Sequence, residues 1–272
     1  MSRGRIAFIL IAVVAALMFV RLGFWQLDRH AEARERNAVR DARLAGPPVP
    51  LAALLARTGP DVSAADLEWS RVLLAGRWDF AGEVLIRNRM QDGRPGVHVV
   101  TPFRTGPDAD DLTVLVLRGW LPAPDAMNPG RIPGGDSQTG PVASLVGVIR
   151  PSREDAGLPV LPAGEGADAR TSFAAIDVAA IEAEAPDAVD YAPYFVQRLP
   201  EDGGAASATE GPVAVALPEP GNGPHLAYAV QWFAFAIVTV IGTVAYVSSR
   251  KPTGGPGSSR RTTARRGAAI RR

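Results

Sequence analysis

The sequence predicts a membrane protein: two transmembrane helices flanking a mostly antiparallel β extracytoplasmic domain. That domain is expected to be a sandwich or small barrel with one or two short helices. Three observations predict this class. Apolar residues concentrate in two blocks, 6–27 and 225–247, although the chain as a whole has a mean hydropathy of only +0.05. Between the blocks, short Val/Leu/Ile-rich runs alternate with Gly/Pro/Asp clusters. All 28 acidic residues lie between the blocks, and none lies outside them.

Composition narrows the chemistry. With 272 residues the chain is long enough for one sizeable domain or two small ones. It has no cysteine, so disulfides, iron–sulfur ligation and thiolate metal sites are excluded. Its three histidines, His30, His98 and His225, would make a metal site only by converging from distant segments. Lys251 is the one lysine among 29 basic residues.

The first block runs from Ile6 to Leu27, interrupted only by Arg21 and Gln26 among strongly polar residues. Twenty-two helical residues rise about 33 Å, enough for a bilayer core. Arg21 falls in the last turns, where its stem can snorkel to headgroups. No small-x-small pattern follows Val20, so an uncleaved anchor is expected rather than a cleaved signal peptide. Asp28 to Leu44 is charged, alanine-rich and free of Gly and Pro, and continues as a juxtamembrane helix over 28–46. Gly46-Pro47-Pro48-Val49-Pro50 stops it.

The soluble domain is expected over 47–224. Trp69 to Ala75, Glu83 to Arg89, Gly96 to Phe103, Leu112 to Gly119 and Val142 to Arg150 read as strands. Their close spacing favours antiparallel pairing over a parallel sheet, which needs long crossovers. Residues 151–170 read as loop, and Ile176 to Glu184 as a short helix with Asp177 as N-cap. Tyr194 to Leu199 and Val213 to Leu217 are the last strand candidates, separated by a hinge over Glu201 to Pro212. The second transmembrane helix is expected at 225–247 and a basic, disordered tail at 248–272.

Charge sets the expected topology. The short N-terminus, residues 1–5, carries Arg3 and Arg5, and the tail carries eight basic residues and no acid. The intervening loop holds 18 basic residues against all 28 acids, a net charge of −10. The positive-inside rule then puts both termini in the cytoplasm and the loop outside. Beside a span, an arginine-rich tail meets anionic lipid headgroups more simply than nucleic acid.

No nucleophile or phosphate-binding motif occurs: Gly-x-Ser-x-Gly, Ser-x-x-Lys, His-Glu-x-x-His and the P-loop are all absent. The chain is therefore read as a non-enzyme. His98 alternates with apolar residues and reads as a strand histidine on a polar face. His225 opens the second block with Tyr228, Trp232 and Phe235 on the same helical face. An imidazole suits an axial position on haem iron, and aromatic rings suit a flat macrocycle. The plainer alternative is an interfacial aromatic belt with a wetted histidine. Trp25 and Gln26 end the first span at the matching depth, with Arg21 and Arg29 one turn to either side. If Gly23 lets the helices approach, those arginines face acidic groups such as haem propionates, or else lipid phosphates.

Five stretches in order resemble the SURF1/Shy1 family of cytochrome c oxidase assembly proteins. They are Leu22-Gly23-Phe24-Trp25-Gln26-Leu27-Asp28-Arg29, Glu68-Trp69-Ser70-Arg71-Val72 with Gly76-Arg77-Trp78, and Gly96-Val97-His98-Val99-Val100-Thr101-Pro102-Phe103. Arg118-Gly119-Trp120-Leu121-Pro122 and His225-Leu226-Ala227-Tyr228-Ala229-Val230-Gln231-Trp232-Phe233 complete the set. The resemblance covers most of residues 6–247. It departs at the 151–170 loop, at the arginine-rich tail, and at a basic position after Arg29 where Arg34 or Arg36 stands for lysine. It implies a non-enzymatic bacterial plasma-membrane factor that assists haem a insertion into the catalytic subunit of an aa3-type oxidase. It also implies transient haem a binding with His225 as axial ligand, and haem a synthase as a further partner. Two other readings stay open: a cofactor-free scaffold for an oxidase intermediate, and an exported solute-binding or sensory domain.

Overall fold

The computed structural model describes residues 2–59, 62–106, 112–122, 139–153, 161–163, 170–185, 189–200 and 211–249. The tail from 250 onward, the 201–210 part of the expected hinge and most of the 151–170 loop lie outside the described residues. Internal contacts divide the chain into two units, Met1–Ala33 with Asn222–Arg272, and Arg34–Gly221.

The first unit packs two apolar helices side by side. Helix α1 is unbroken from Arg3 to Ala45 and ends at the Gly-Pro-Pro sequence, as its composition predicts. The last described helix, α5, runs from His225 to Ser249. Both are long and apolar enough to cross a membrane. Leu10, Ile11, Val14, Leu17, Ile237, Val238 and Ile241 all stand largely exposed on them. The helices run antiparallel, in one register from end to end. Phe8 meets Tyr246 at 4.6 Å between ring centroids, and Phe19 meets Trp232 and Phe235 at 5.7 Å each. Arg5 Nη2 donates to the Val247 carbonyl at 2.9 Å, placing a cation where the helix C-terminus leaves carbonyls without intrahelical partners.

Among the described residues, the second unit is built on nine strands. They are β1 (Val49–Pro50), β2 (Arg71–Asp79), β3 (Val84–Gln91), β4 (Arg94–Thr105), β5 (Thr113–Pro122), β6 (Thr139–Pro151), β7 (Leu161–Ala163), β8 (Arg170–Phe173) and β9 (Tyr191–Arg198). Strands β2, β6, β9, β5 and β4 follow one another by hydrogen bonding. The pairs Gly76↔Thr105, Arg77↔Arg104 and Trp78↔Phe103 return β4 to β2. The result is a closed five-stranded barrel, whose closure removes the edges that an open sheet would expose. Between the two expected architectures, the sandwich is thus replaced by the barrel. Strand β4 pairs with β5 along one edge and divides the other edge between β3, over its first part, and β2, at its end. Strands β3, β8 and β7 extend the sheet beyond the barrel.

Pairing is mostly antiparallel, with three parallel exceptions: β1–β2, β3–β8 and β5–β9. The expected argument from short spacing fails for these because their partners are far apart in sequence and the intervening chain makes the crossover. Leu161–Ala163 and Arg170–Phe173 pair as strands where the sequence reads as loop or is silent. Val213–Leu217 is not a strand; only Val213 bridges to Trp120.

Alternation explains the core. Strand β5 is buried at all ten positions. Val114 and Val116 enter the barrel with Val72, Leu74, Phe103, Ile149, Tyr194 and Val196. Leu115 and Leu117 face a second cluster with Ile86, Val100 and Phe173. A strand buried on both faces reads as a continuous apolar run, as Val114-Leu115-Val116-Leu117 does. Two short helices, α2 (Leu51–Thr58) and α3 (Ala64–Leu67), contribute Leu51 and Leu67 to the barrel core. Ser63 and Asp66 close a reciprocal capping box on α3. The second core is covered by α4 (Val178–Ala183), whose N-cap Asp177 accepts from the Ala180 amide at 3.2 Å, as predicted.

The end of α1 is attached to this unit through Trp69, whose φ of 68° is left-handed. Its ring lies under two guanidinium groups, Arg40 at 4.8 Å and Arg150 at 3.9 Å. Arg43 Nη1 adds a 2.6 Å bond to the Glu68 carbonyl.

Candidate functional site

The helix pair brings together residues 199 positions apart. His225 Nδ1 lies 2.9 Å from Gln26 Oε1. Gln26 is one of the few polar side chains in its helix that is buried, at 9% exposure. One turn away, Gly23 lies under the Phe233 ring: a Cβ at position 23 would stand 2.6 Å from Phe233 Cε1. Phe24 contacts the same ring edge-on at 5.4 Å. The expected close approach at Gly23 is therefore present, and it sets the separation at which Gln26 reaches His225.

A second glycine lies close to the imidazole. Gly223 has φ 64°, and a Cβ there would approach His225 Cδ2 and Nε2 to 3.0 Å. No described residue hydrogen-bonds to Nε2. His225 thus has one nitrogen committed to Gln26 and one uncommitted, on a half-buried ring at a helix start.

The remaining candidates divide. Trp232 stacks on Phe19 at an interplanar angle of 23° and meets Phe235 edge-on. Tyr228 is 47% exposed, and Gln231 is exposed. On α1, Arg21, Trp25 and Arg29 follow at four-residue spacing along an exposed stripe. Arg29 Nη1 bonds Glu32 at 2.7 Å and stands 5.9 Å over Trp25. The expected single aromatic face is therefore partly occupied by packing within the helix pair. Among the described residues no group of three or more His, Asp or Glu could hold a metal ion.

Arg118, Gly119 and Trp120 belong to β5, in the other unit, and their geometry is that of a buried framework. Arg118 Nη1 donates to Glu83 Oε2 at 2.8 Å, and Thr101 Oγ1 donates to the same oxygen at 2.6 Å. Arg170 Nε donates to Glu83 Oε1 at 3.1 Å. The Glu83 side chain is fully buried. Trp78 and Phe80 both lie 5.2 Å from the Arg118 guanidinium carbon. Burial lowers the pKa of Arg118, and Glu83 acts against that shift. Trp120 Nε1 donates to the Arg89 carbonyl at 3.2 Å, and its backbone exchanges hydrogen bonds with Val213 across the space that Gly119 leaves open.

The SURF1 family model matches residues 13–237, a span that holds most of α1, the first half of α5 and the β-domain between them. The chain belongs to the SURF1 family. A SURF1-like protein of Mycobacterium tuberculosis is 29% identical over 243 residues, covering 88% of this chain and 82% of that relative. Surfeit locus protein 1 of Xenopus tropicalis is 29% identical over 146 residues, 47% of this chain and 43% of its own. The cytochrome oxidase assembly protein Shy1 of Saccharomyces cerevisiae is 30% identical over 126 residues, 43% of this chain and 31% of its own. Two SURF1 motifs thereby acquire distinct physical settings. Gly23 and Gln26 serve the helix pair with His225, whereas Arg118, Gly119 and Trp120 serve the β-domain.

Two contributors escape a reading of the sequence. Gly223 looks like part of a proline-rich spacer, and only its positive φ and its proximity to the imidazole mark it. Glu83 looks like the polar start of a strand, and its signal, a carboxylate beside an apolar run with arginines elsewhere, has no local spacing.

Proposed function

We propose that this SURF1 protein is an aa3-type cytochrome c oxidase assembly factor that holds haem a transiently for insertion into the catalytic subunit. The observation that carries the reading is the His225 imidazole. One nitrogen lies within hydrogen-bond distance of Gln26 and the other has no hydrogen-bond partner among the described residues, at the border of a helix long enough to span a bilayer. The name of the yeast relative supports the oxidase as the system served.

The chain sits in the bacterial plasma membrane with α1 and α5 as spans, both termini cytoplasmic and the β-domain outside. The cargo supplies an iron that takes a neutral imidazole as axial ligand. His225 offers Nε2 to it. Tyr228, exposed beside it, and Trp232 offer aromatic surface, and Arg21 offers an exposed cation for an acidic group on the cargo. Arg29 would have to exchange its Glu32 contact to do the same. Release requires a weak site, and a single histidine on a half-open helix pair fits that need. The β-domain carries no covalent chemistry in this reading. It is the platform that meets the oxidase subunit, with haem a synthase as the donor and membrane lipids around the spans.

The test is genetic and spectroscopic. A host lacking this gene is expected to assemble less aa3-type oxidase, with restoration by the wild-type gene and not by one encoding His225→Ala. Unchanged oxidase content in the deletion strain overturns the assembly role. Full restoration by His225→Ala leaves the scaffold reading standing in place of the haem-binding one.

A further inference from the structure

We infer that Gln26 is the positioning residue that fixes which nitrogen of His225 is free. The inference rests on the haem-binding reading for its purpose, but its physical content concerns the apoprotein alone.

A neutral imidazole carries one proton, and its two nitrogens are not equivalent. An amide oxygen is an acceptor only. With Gln26 Oε1 2.9 Å from Nδ1, the proton resides on Nδ1, which donates to the amide. Nε2 then presents its lone pair. The alternative tautomer would set a lone pair against the amide oxygen and leave Nε2 protonated, unable to bind a metal.

Three features make this contact a device and not a chance pairing. Gln26 is buried on the face of α1 that meets α5, so its amide cannot swing freely into solvent. The bond joins two helices 199 residues apart, so the packing of the pair sets its geometry. Gly23, one turn earlier, fixes that packing through Phe233. Gly223 lies close to the ring, where a Cβ would stand 3.0 Å from both Cδ2 and Nε2. Gln26 therefore assigns the proton, while Gly223 spares the ring the Cβ contact that another residue would make beside Nε2. Metal-bound histidines generally donate their second nitrogen to an acceptor in this way, and losing that acceptor typically costs about 10–100-fold in metal affinity.

The experiment uses the full chain in detergent, with its histidines labelled with nitrogen-15. In the apoprotein, the ring nitrogen shifts and one-bond proton couplings of His225 are expected to report the Nδ1–H tautomer. Gln26→Met keeps the side-chain length and removes the acceptor; it is expected to lose that single tautomer and to weaken binding of added haem a about 10–100-fold. Gln26→Glu restores an acceptor and is expected to restore both the tautomer and the affinity. An Nε2–H tautomer in the wild type overturns the inference. So does a Gln26→Met protein whose tautomer and affinity match the wild type. If the wild type shows Nδ1–H but takes up no haem a, the proposed cargo fails and the Gln26 assignment stands.

Discussion

Glu83 is the residue on which the β-domain's buried charges converge. Its two oxygens accept from Arg118, Arg170 and Thr101, and its side chain has no exposure to solvent. Removing one member of such a cluster strands the others in low dielectric, at a cost of about 3–5 kcal/mol. Glu83→Gln is expected to lower unfolding stability by that order in urea titration, and an unchanged midpoint would refute the cluster's structural role. His98, paired across strands with Ile86 and Trp120, has its pKa pushed down to about 4 by burial, with Arg89 adding to the shift. The unfolded chain, with an ordinary value near 6.5, binds the proton more readily. Stability is therefore fully present above pH 6.5 and is lost as pH falls through about 4, by up to about 3 kcal/mol. His98→Gln is expected to flatten that part of the pH–stability curve; a curve of the same shape would show that His98 is not its source. The polar-face reading of this histidine misses its half-burial, because alternation along β4 gives no account of the neighbouring Trp120.

At the scale of elements, the pairing of α1 and α5 depends on one glycine meeting one ring. Gly23→Val would drive a branched side chain into Phe233, and overpacking of this kind costs about 1–3 kcal/mol. The expected outcome is loss of the His225–Gln26 contact, seen as a changed His225 nitrogen spectrum. Phe233→Ala in the same chain should restore it by opening the space; no restoration would mean that Gly23 acts through something other than that ring. Both helices are legible in the sequence because hydrophobic runs of that length have few other uses. The same holds for β2 to β6 and β9, where Val/Leu/Ile runs sit between turn residues. Helices α2 and α3 are too short to carry a pattern of their own, and their role shows only where Leu51 and Leu67 enter the barrel core. Strand β7 and the parallel pairs depend on partners distant in sequence, and no local pattern records them.

At the scale of the molecule, the barrel closes through β2 and β4 while the helix pair keeps its own register, so each unit has a stabilising logic of its own. The proposed topology, drawn from the positive-inside rule, has the acidic β-domain outside and the basic ends in the cytoplasm. Protease added to intact spheroplasts should therefore cut within 47–224 and spare an epitope at the C-terminus, whereas cleavage of the epitope alone would reverse the topology. The candidate site was legible in part. His225, Gln26 and Gly23 stand out as a histidine, an amide and a glycine at the border of apolar runs, but their meeting depends on the antiparallel register, which only the packed helices reveal.

Every step of the proposed function turns on whether His225 holds haem a. The most direct measurement is the reduced-minus-oxidised absorption spectrum of the full chain purified from a haem a-producing host, beside His225→Met with the same circular dichroism. The account predicts a haem a signal in the wild type and its loss or marked decrease in the variant. A wild type without haem a, or a variant with an equal amount, would contradict it.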